Sequence, residues 1–430
     1  MKIKLFILLL LTIINFNVKS QCQTLIGYWH NWNDANTPYI QLTQVDSRYN
    51  IICISFAEPT SPSDMHMLFT PDVVSQATFI SQIQTLQGQG KKVLISIGGA
   101  NTAISLDNST NTNAFISTMT AILNTYHFDG IDIDIEHGNS ILASGTIASP
   151  TSTDCTNLIY ALNQIKTTYL TTNSQQMMLT FAPETAYVQG GMSTYGGIWG
   201  GYLPLINAFR NDLSFVHVQL YNSGSMYGIN SIAYNQGTAD FIIAMTEALI
   251  QGFNTSGGAF QGIPANKVAV GLPACNNAGG GFITIAAVAS AINYLKGTGP
   301  KPGTYTLQQA GGYPNLGGMM TWSINWDKVT TCNTTSYEYA TNFQQLFCPV
   351  ATNIEENTVK NNFIILPNPS SEKISISNIE SNLSYTISNI QGEILQQGKI
   401  IQTQEIFINN LDNGIYFLNI NNKSIKFIKL

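Results

Sequence analysis

Residues 128–136 read Phe-Asp-Gly-Ile-Asp-Ile-Asp-Ile-Glu, and this run constrains the fold more than any other stretch of the chain. Its acids recur with a period of two. On a β-strand, Asp132, Asp134 and Glu136 therefore share one face while Ile131, Ile133 and Ile135 share the other. The isoleucines call for a packed layer behind the strand. Three carboxylates on one face repel and raise one another's pKa unless a proton is shared, so such a stack is found more often in catalysis than in structure. The alternatives are a solvated edge or a metal cup. A calcium cup would want Asn, Asp and Gly on a flexible loop, whereas here β-branched residues separate the acids and stiffen a strand, so no metal is expected.

The first twenty residues read as an export signal: Lys2 and Lys4, an apolar run from Leu5 to Ile14, then Asn15 to Ser20. That apolar run is short for a membrane span, and no later segment reaches eighteen uninterrupted apolar residues. Cys22 follows Lys19, Ser20 and Gln21, which is not a lipoprotein-like context. All six cysteines lie beyond the signal, where export permits disulfides. Cys53, inside an apolar run, reads as a buried free thiol, and Cys332 with Cys348 as a candidate local loop. Residues 21–350 hold nine Lys and Arg against seventeen Asp and Glu, which argues against nucleic acid as a partner. Few charges and abundant Asn, Thr, Ser, Gln, Tyr and Trp suit the binding of a neutral polymer by hydrogen bonds and ring stacking.

Eight short β-rich runs follow the signal, at Thr24–Trp29, Asn50–Phe56, Lys92–Ile97, Gly130–Ile135, Met177–Phe181, Phe215–Tyr221, Lys267–Leu272 and Gly318–Trp322. Segments with helical potential alternate with them, at Val73–Gln87, Asn113–Tyr126, Ser152–Tyr169, Thr238–Gln251 and Ile285–Lys296. Eight such units predict an α/β fold, a closed (β/α)₈ TIM barrel with its site where strands end. An open doubly wound sheet is the alternative, but no glycine-rich phosphate loop follows the first strand. The expected domains are 1–20 signal, 21–350 barrel, 351–362 linker and 363–430 a small all-β sandwich, whose turns fall at Asn368-Pro369, Gln391-Gly392 and Asn413-Gly414.

On the fourth strand Glu136 should reach furthest into the open mouth, as a general acid, with Asp134 discouraging its ionisation and Asp132 deepest. Asp129 and Gly130, at the strand's base, are expected to shape the turn. The other strand ends supply Tyr28, Trp29 and Trp32; Phe56 and Glu58; Ser96, Gly98 and Gly99; Glu184; Gln219, Tyr221 and Asn222; and Trp322. Singly each has a duller reading, such as core, turn or buried hydroxyl. Their co-location at one rim carries the weight.

The run Asp129-Gly130-Ile131-Asp132-Ile133-Asp134-Ile135-Glu136 resembles the signature of glycoside hydrolase family 18, the chitinases, and Ser96-Ile97-Gly98-Gly99 resembles that family's second motif. Gly27-Tyr28-Trp29-His30-Asn31-Trp32, Ala182-Pro183-Glu184, Gln219-Leu220-Tyr221-Asn222 and Trp322 are similar in order to the bacterial single-barrel chitinases, and the likeness covers residues 24–346. The resemblance implies that Glu136 protonates the glycosidic oxygen while the sugar's own N-acetyl carbonyl attacks the anomeric carbon. This family is a named exception to the two-carboxylate rule. The same resemblance implies that Asp134 orients the acetamido group, Asp132 shares a proton with it, Tyr221 donates to the acetamido oxygen and Trp322 floors the reacting sugar. Gln219 and Asn222 depart from the Met and Asp of many relatives. Only about forty-five residues separate strands seven and eight, too few for the α+β insertion of deep-cleft relatives, so a shallow groove and internal cutting are expected.

The tail, with "LPNPSSEKISIS" from Leu366, "YTISNIQGEILQQGKI", "INNLDNGIYFLNI" and "KSIKFIKL", resembles the type IX secretion C-terminal sorting domain; an ordinary accessory sandwich is its plainer reading. The resulting expectation is a secreted, monomeric, endo-acting chitinase without cofactor. Its partners would be chitin or its oligosaccharides and, through the tail, the secretion machinery. An endo-β-N-acetylglucosaminidase acting on N-glycans and a catalytically silent chitin-binding barrel are the alternatives.

Overall fold

In each expected strand, alternate residues must find two different environments, and the computed structural model provides both. It describes residues 22–136, 141–348, 364–377, 383–400, 405–420 and 423–430, so the expected export signal and linker lie outside the described residues. Eight parallel strands follow in ring order: β1 (Thr24–His30), β2 (Ile51–Ser61), β3 (Lys92–Gly99), β4 (Gly130–Ile135), β5 (Met178–Phe181), β6 (Phe215–Val216), β7 (Ala269–Pro273) and β8 (Gly318–Trp322). β8 pairs with both β7 and β1. Between β6 and β7 the ring closes only through single bridges, Val216 to Val268 and Gln219 to Gly271. That sparse pairing is why the sixth strand is shorter than the expected Phe215–Tyr221.

Leu25, Trp29, Ile52, Ile54, Val93, Ile95, Ile131, Ile133 and Ile135 point outward into the layer beneath the helices. Ile26, Tyr28, Cys53, Leu94 and Met320 fill the lumen. Each fully buried aliphatic side chain contributes roughly 1.5–3 kcal/mol, so the two layers together fix the register. The helices are α1 (Gln76–Gly88), α2 (Ser109–Tyr126), α3 (Thr153–Asn173), α4 (Leu203–Phe209), α5 (Ala239–Gln251), α6 (Ile285–Leu295), α7 (Ile324–Lys328) and α8 (Glu338–Phe347). Ser75, Asn108, Ser152, Thr238 and Thr284 cap α1, α2, α3, α5 and α6, each side chain accepting a backbone N–H of the first turn. The Asn108 cap starts α2 four residues before the expected Asn113, because the polar turn Ser109–Thr112 is held by the cap rather than by apolar periodicity.

At the base of the barrel Asp129 ties three elements together. Its carboxylate pairs with Lys92 at 2.8 Å and accepts the Val93 N–H at 2.9 Å and the Gln87 Nε2 at 3.0 Å. A Cβ on Gly130 would run into the Met178 carbonyl oxygen, so only glycine lets β4 start this close to β5. Disulfides join Cys22 to Cys348 and Cys275 to Cys332, while Cys53 and Cys155 are buried free thiols. The expected Cys332–Cys348 loop is therefore wrong: α8 carries Cys348 to the start of β1, and Cys332 instead reaches the loop after β7.

The chain divides into two compact units at residues 349–350. In the second, β9 (Ile364–Leu366), β10 (Lys373–Ser377) and β13 (Glu405–Phe407) form one antiparallel sheet. β11 (Leu383–Ser388), β12 (Ile394–Ile400), β14 (Gly414–Ile420) and β15 (Lys423–Lys429) form the other. Ile374, Ile387, Ile406, Leu418 and Phe427 make one core between them, which is the expected sandwich.

Candidate active site

Register explains the deepest acid. Ser96 on β3 and Thr180 on β5 are the direct cross-strand partners of Asp132 on β4. Ser96 Oγ donates to Asp132 Oδ2 at 2.7 Å and Thr180 Oγ1 to Oδ1 at 2.6 Å, and the Tyr28 hydroxyl reaches Oδ2 from β1 at 2.7 Å. The His217 Nε2 lies 3.2 Å from Oδ1, off the line of a good hydrogen bond. Burial alone would raise the Asp132 pKa, but the His217 ring and the donated hydrogen bonds outweigh it and hold the carboxyl below its ordinary value.

One step up, Asp134 goes the other way. Burial, then the charges of Glu136 and Asp132, and then a hydrogen bond to Glu136 push its pKa well above the ordinary carboxylate range. Of the two deeper acids, Asp134 is therefore the one whose protonated form is favoured. The expected proton sharing between Asp134 and Asp132 meets an Asp132 carboxylate already surrounded by four polar groups, while Asp134 has Glu136 as its hydrogen-bond partner. Gln219 Nε2 clasps the upper pair, donating to Asp134 Oδ1 at 2.8 Å and Glu136 Oε1 at 2.9 Å as well as to the Ala182 carbonyl at 3.0 Å.

Close backbone approach makes room for the acids. Gly98 has φ 109°, and a Cβ there would collide with the Asp134 carbonyl oxygen. Gly99 has φ 77°, and its Cβ would collide with the Phe56 ring at 2.8 Å.

Glu136 opens into a pocket of about 200 Å³ lined also by Trp32, Phe56, Asn101, Gln219, Tyr221, Asn222 and Trp322. Phe56 and Trp322 stack with centroids 6.0 Å apart and planes 12° from parallel, and Trp32 lies 6.5 Å from each. The groove continues past Trp32 and Phe56 to Glu58, Gly98 and Gly99, and on to Pro59, Leu68 and Asp72. Burial first, then Asp134 and Glu136, raise the Tyr221 pKa, so its hydroxyl keeps its proton. Asn222 is in the left-handed region at φ 51° and exchanges two hydrogen bonds with Gly280, its N–H to the carbonyl at 2.8 Å and its Oδ1 from the N–H at 2.7 Å.

Two expectations need correction, and the third residue below stands apart from the pocket. Trp29 is not at the rim: strand parity turns it away from Tyr28, and it is fully buried among Ile40, Tyr39 and Phe79 with its indole N–H on the Ile40 carbonyl. Tyr28 does not line the pocket, since its hydroxyl is engaged by Asp132 and its ring lies under Trp322 at 5.6 Å. Glu184 is half-buried beside Gln219 on the β5–β6 rim and is absent from the lining of the Glu136 pocket. Sequence reading passed over His30, which stacks on Trp32 at 4.5 Å, and also Thr180 and His217. All three share the inward parity of Tyr28, Ala182 and Gln219, so alternation could have found them.

A parallel barrel with a buried acid stack rising into an aromatic groove defines the class of the N-terminal unit. Residues 24–281 match the glycosyl hydrolases family 18, and the chain belongs to that family. Residues 364–430 match the secretion system C-terminal sorting domain, which marks a protein exported to the cell surface or the extracellular space. Over 312 residues the chain is 46% identical to Chitinase Chi52 of Paenibacillus xylanexedens, covering 71% of this chain and 59% of that one. Chitinase ChiA of Flavobacterium johnsoniae is 33% identical over 412 residues, 90% of this chain and 26% of that protein. The chain thus spans three fifths or less of the length of these curated relatives. The crystal structure of a family GH18 chitinase from Chromobacterium violaceum aligns with TM-score 0.66 and 35% identity over 75% of this chain and 83% of that one.

Proposed function

We propose that this protein is an exported chitinase that cuts internal β-1,4 linkages of N-acetylglucosamine polymers with retention, using the substrate's own acetamido group as nucleophile. The observation that carries this reading is the Asp134–Glu136 carboxyl pair, clasped by Gln219, with the Asp134 pKa raised and Glu136 opening into an aromatic pocket. Substrate-assisted cleavage needs one proton delivered upward and one negative charge left below, and this pair supplies both.

The sugar at the cleavage point would rest on Trp322, its acetamido group between Asp134 and Tyr221. Glu136 gives its proton to the glycosidic oxygen as the acetamido oxygen bonds to C1 and the C1–O bond breaks. The resulting oxazolinium is positive, and Asp134, its proton passed to Glu136, faces it as a carboxylate; the Tyr221 hydroxyl holds the acetamido oxygen in line. Water then adds to C1, losing its proton to Glu136, and the oxazolinium ring opens. The two inversions at C1 give net retention.

Internal cutting is supported by the open groove and by the short β7–β8 connection, where residues 274–317 hold α6 and no strand. A mass-resolved time course of chitin hexaose, run beside a high-mannose glycopeptide with Glu136→Gln as control, tests the reading. Early mixed di-, tri- and tetrasaccharides are expected. Release of the glycan with the hexaose untouched would overturn the substrate class, and oligosaccharide binding with no turnover by the unaltered protein would make it a lectin.

A further inference from the structure

His217 has no place in the chemistry above, yet it is fully buried at the bottom of the acid stack. Its backbone N–H is satisfied by the Phe181 carbonyl at 2.9 Å, but its ring Nδ1 has no hydrogen-bond partner. Among described residues, the titratable groups around the ring are Asp132 at 3.2 Å, Tyr28 edge-on at 6.1 Å and the Cys53 thiol, whose Sγ lies within 4.8 Å of both His217 and Asp132. An unpaired buried polar atom carries a desolvation cost that an aliphatic side chain at the same place would not incur. Neither ring nitrogen makes a hydrogen bond, and the one polar group that Nε2 approaches is the Asp132 carboxylate, at 3.2 Å.

Cys53, Asp132 and His217 together have the residue types of a cation site. The hydroxyls of Tyr28, Ser96 and Thr180 already donate to both Asp132 oxygens, however, so a cation would have to displace them. What remains is a carboxylate with three hydroxyl donors and one imidazole beneath it.

We propose that His217 is a positioning residue of the acid stack: it fills the fourth side of the Asp132 carboxylate, so that the one mobile proton stays with Asp134 and Glu136 instead of sinking to Asp132. This rests on the catalytic reading above, and concerns the partition of the proton rather than the identity of the sugar. The direction of the Asp132 and Asp134 shifts is that expected of such a partition.

Two variants test it. His217→Gln keeps a polar side chain near the position of Nε2, and His217→Leu removes it. Leu is expected to lower kcat roughly tenfold to a hundredfold with KM little changed, as loss of an outer partner of a reactive centre commonly does. Its acid limb of kcat against pH should move up by roughly one unit, because Asp132 then takes up the proton earlier. Gln should restore most of kcat and of the profile. An arm independent of turnover follows the aspartate carboxyl carbons by ¹³C NMR: in the unaltered protein Asp132 stays ionised while Asp134 titrates, and in His217→Leu the Asp132 midpoint rises. Failure of the unaltered protein to cut any β-1,4 N-acetylglucosamine substrate would sink the catalytic reading and leave the NMR arm to judge the proton partition. Unchanged Asp132 titration and an unmoved pH profile in His217→Leu, with only the melting temperature lowered, would make His217 a packing residue and overturn the proposal. The proposal fails equally if Leu does not fold and Gln leaves both readouts unmoved while losing activity.

Discussion

Four fully buried carboxylates stand among the described residues of the barrel unit, and two of them, Glu247 and Asp327, lie outside the acid stack. Glu247 on α5 accepts the Tyr305 and Tyr313 hydroxyls at 2.7 and 2.6 Å and the backbone N–H groups of Gln308 and Gln309. It thereby pins the long segment between α6 and β8. Asp327 in α7 accepts the Tyr49 hydroxyl at 2.6 Å and the N–H groups of Tyr339 and Ala340, fastening α8 to the wall. Asp132 is just as well surrounded, so neither burial nor saturation distinguishes the acids of the proposed site from the anchors. The difference lies in what comes next along the chain. Above Asp132 stands Asp134 and then Glu136 at an open groove, whereas no acid faces Glu247 or Asp327 in these contacts. Apposed acids must share a proton, and a proton held beside a cleft can be given away.

The comparison predicts effects of two kinds. Glu136→Gln should lower kcat by about 10³-fold or more, the upper range for a general acid, while tryptophan fluorescence still reports oligosaccharide binding. On the proposed mechanism Asp134→Asn should cost roughly 10²–10³-fold in kcat, since it would remove both the proton partner and the charge beneath the oxazolinium; steady-state kinetics with hexaose checks this. Glu247→Leu should leave the pH profile of kcat in place but cost about 3–5 kcal/mol in urea unfolding, because buried donors lose their acceptor. If instead it shifts the profile, the division between anchors and active acids fails. Asp327 is pushed up to about 6, mainly by burial. Its folded-state pKa is above the unfolded value near 4, so the native state binds the extra proton and stability falls as pH rises from about 4 to about 6. Asp327→Asn should flatten that slope by roughly 2–3 kcal/mol across this window, read from urea midpoints at each pH.

Much of this contrast was legible in the sequence alone. A period-two acid run with isoleucines between can be only a strand with a core on one side, and eight β-rich runs with helical segments between them lead to the barrel. The anchors were not legible, because Glu247 and Asp327 draw their donors from segments about 60 and up to about 280 residues away, and no local pattern announces such pairings. The disulfides were misjudged for the same reason, since barrel closure brings Cys22 to Cys348 across 326 residues. Trp29 differs in kind: its parity opposite to Tyr28 turns it outward, a placement that the alternation of the strand already contains. The clasp of Gln219 on both acids was open to the sequence only as a departure from the expected Met, with no sign of what the amide would hold.

Partially N-acetylated chitosan offers the most direct test of the central claim, that the acid pair works through the substrate's own acetamido group. Products made early in digestion would be separated and their new reducing ends identified by mass spectrometry. The account predicts that every new reducing end carries an N-acetyl group, whatever the residue on the other side of the cut. New reducing ends of deacetylated glucosamine, formed at a comparable rate, would contradict it and require a nucleophile from the protein.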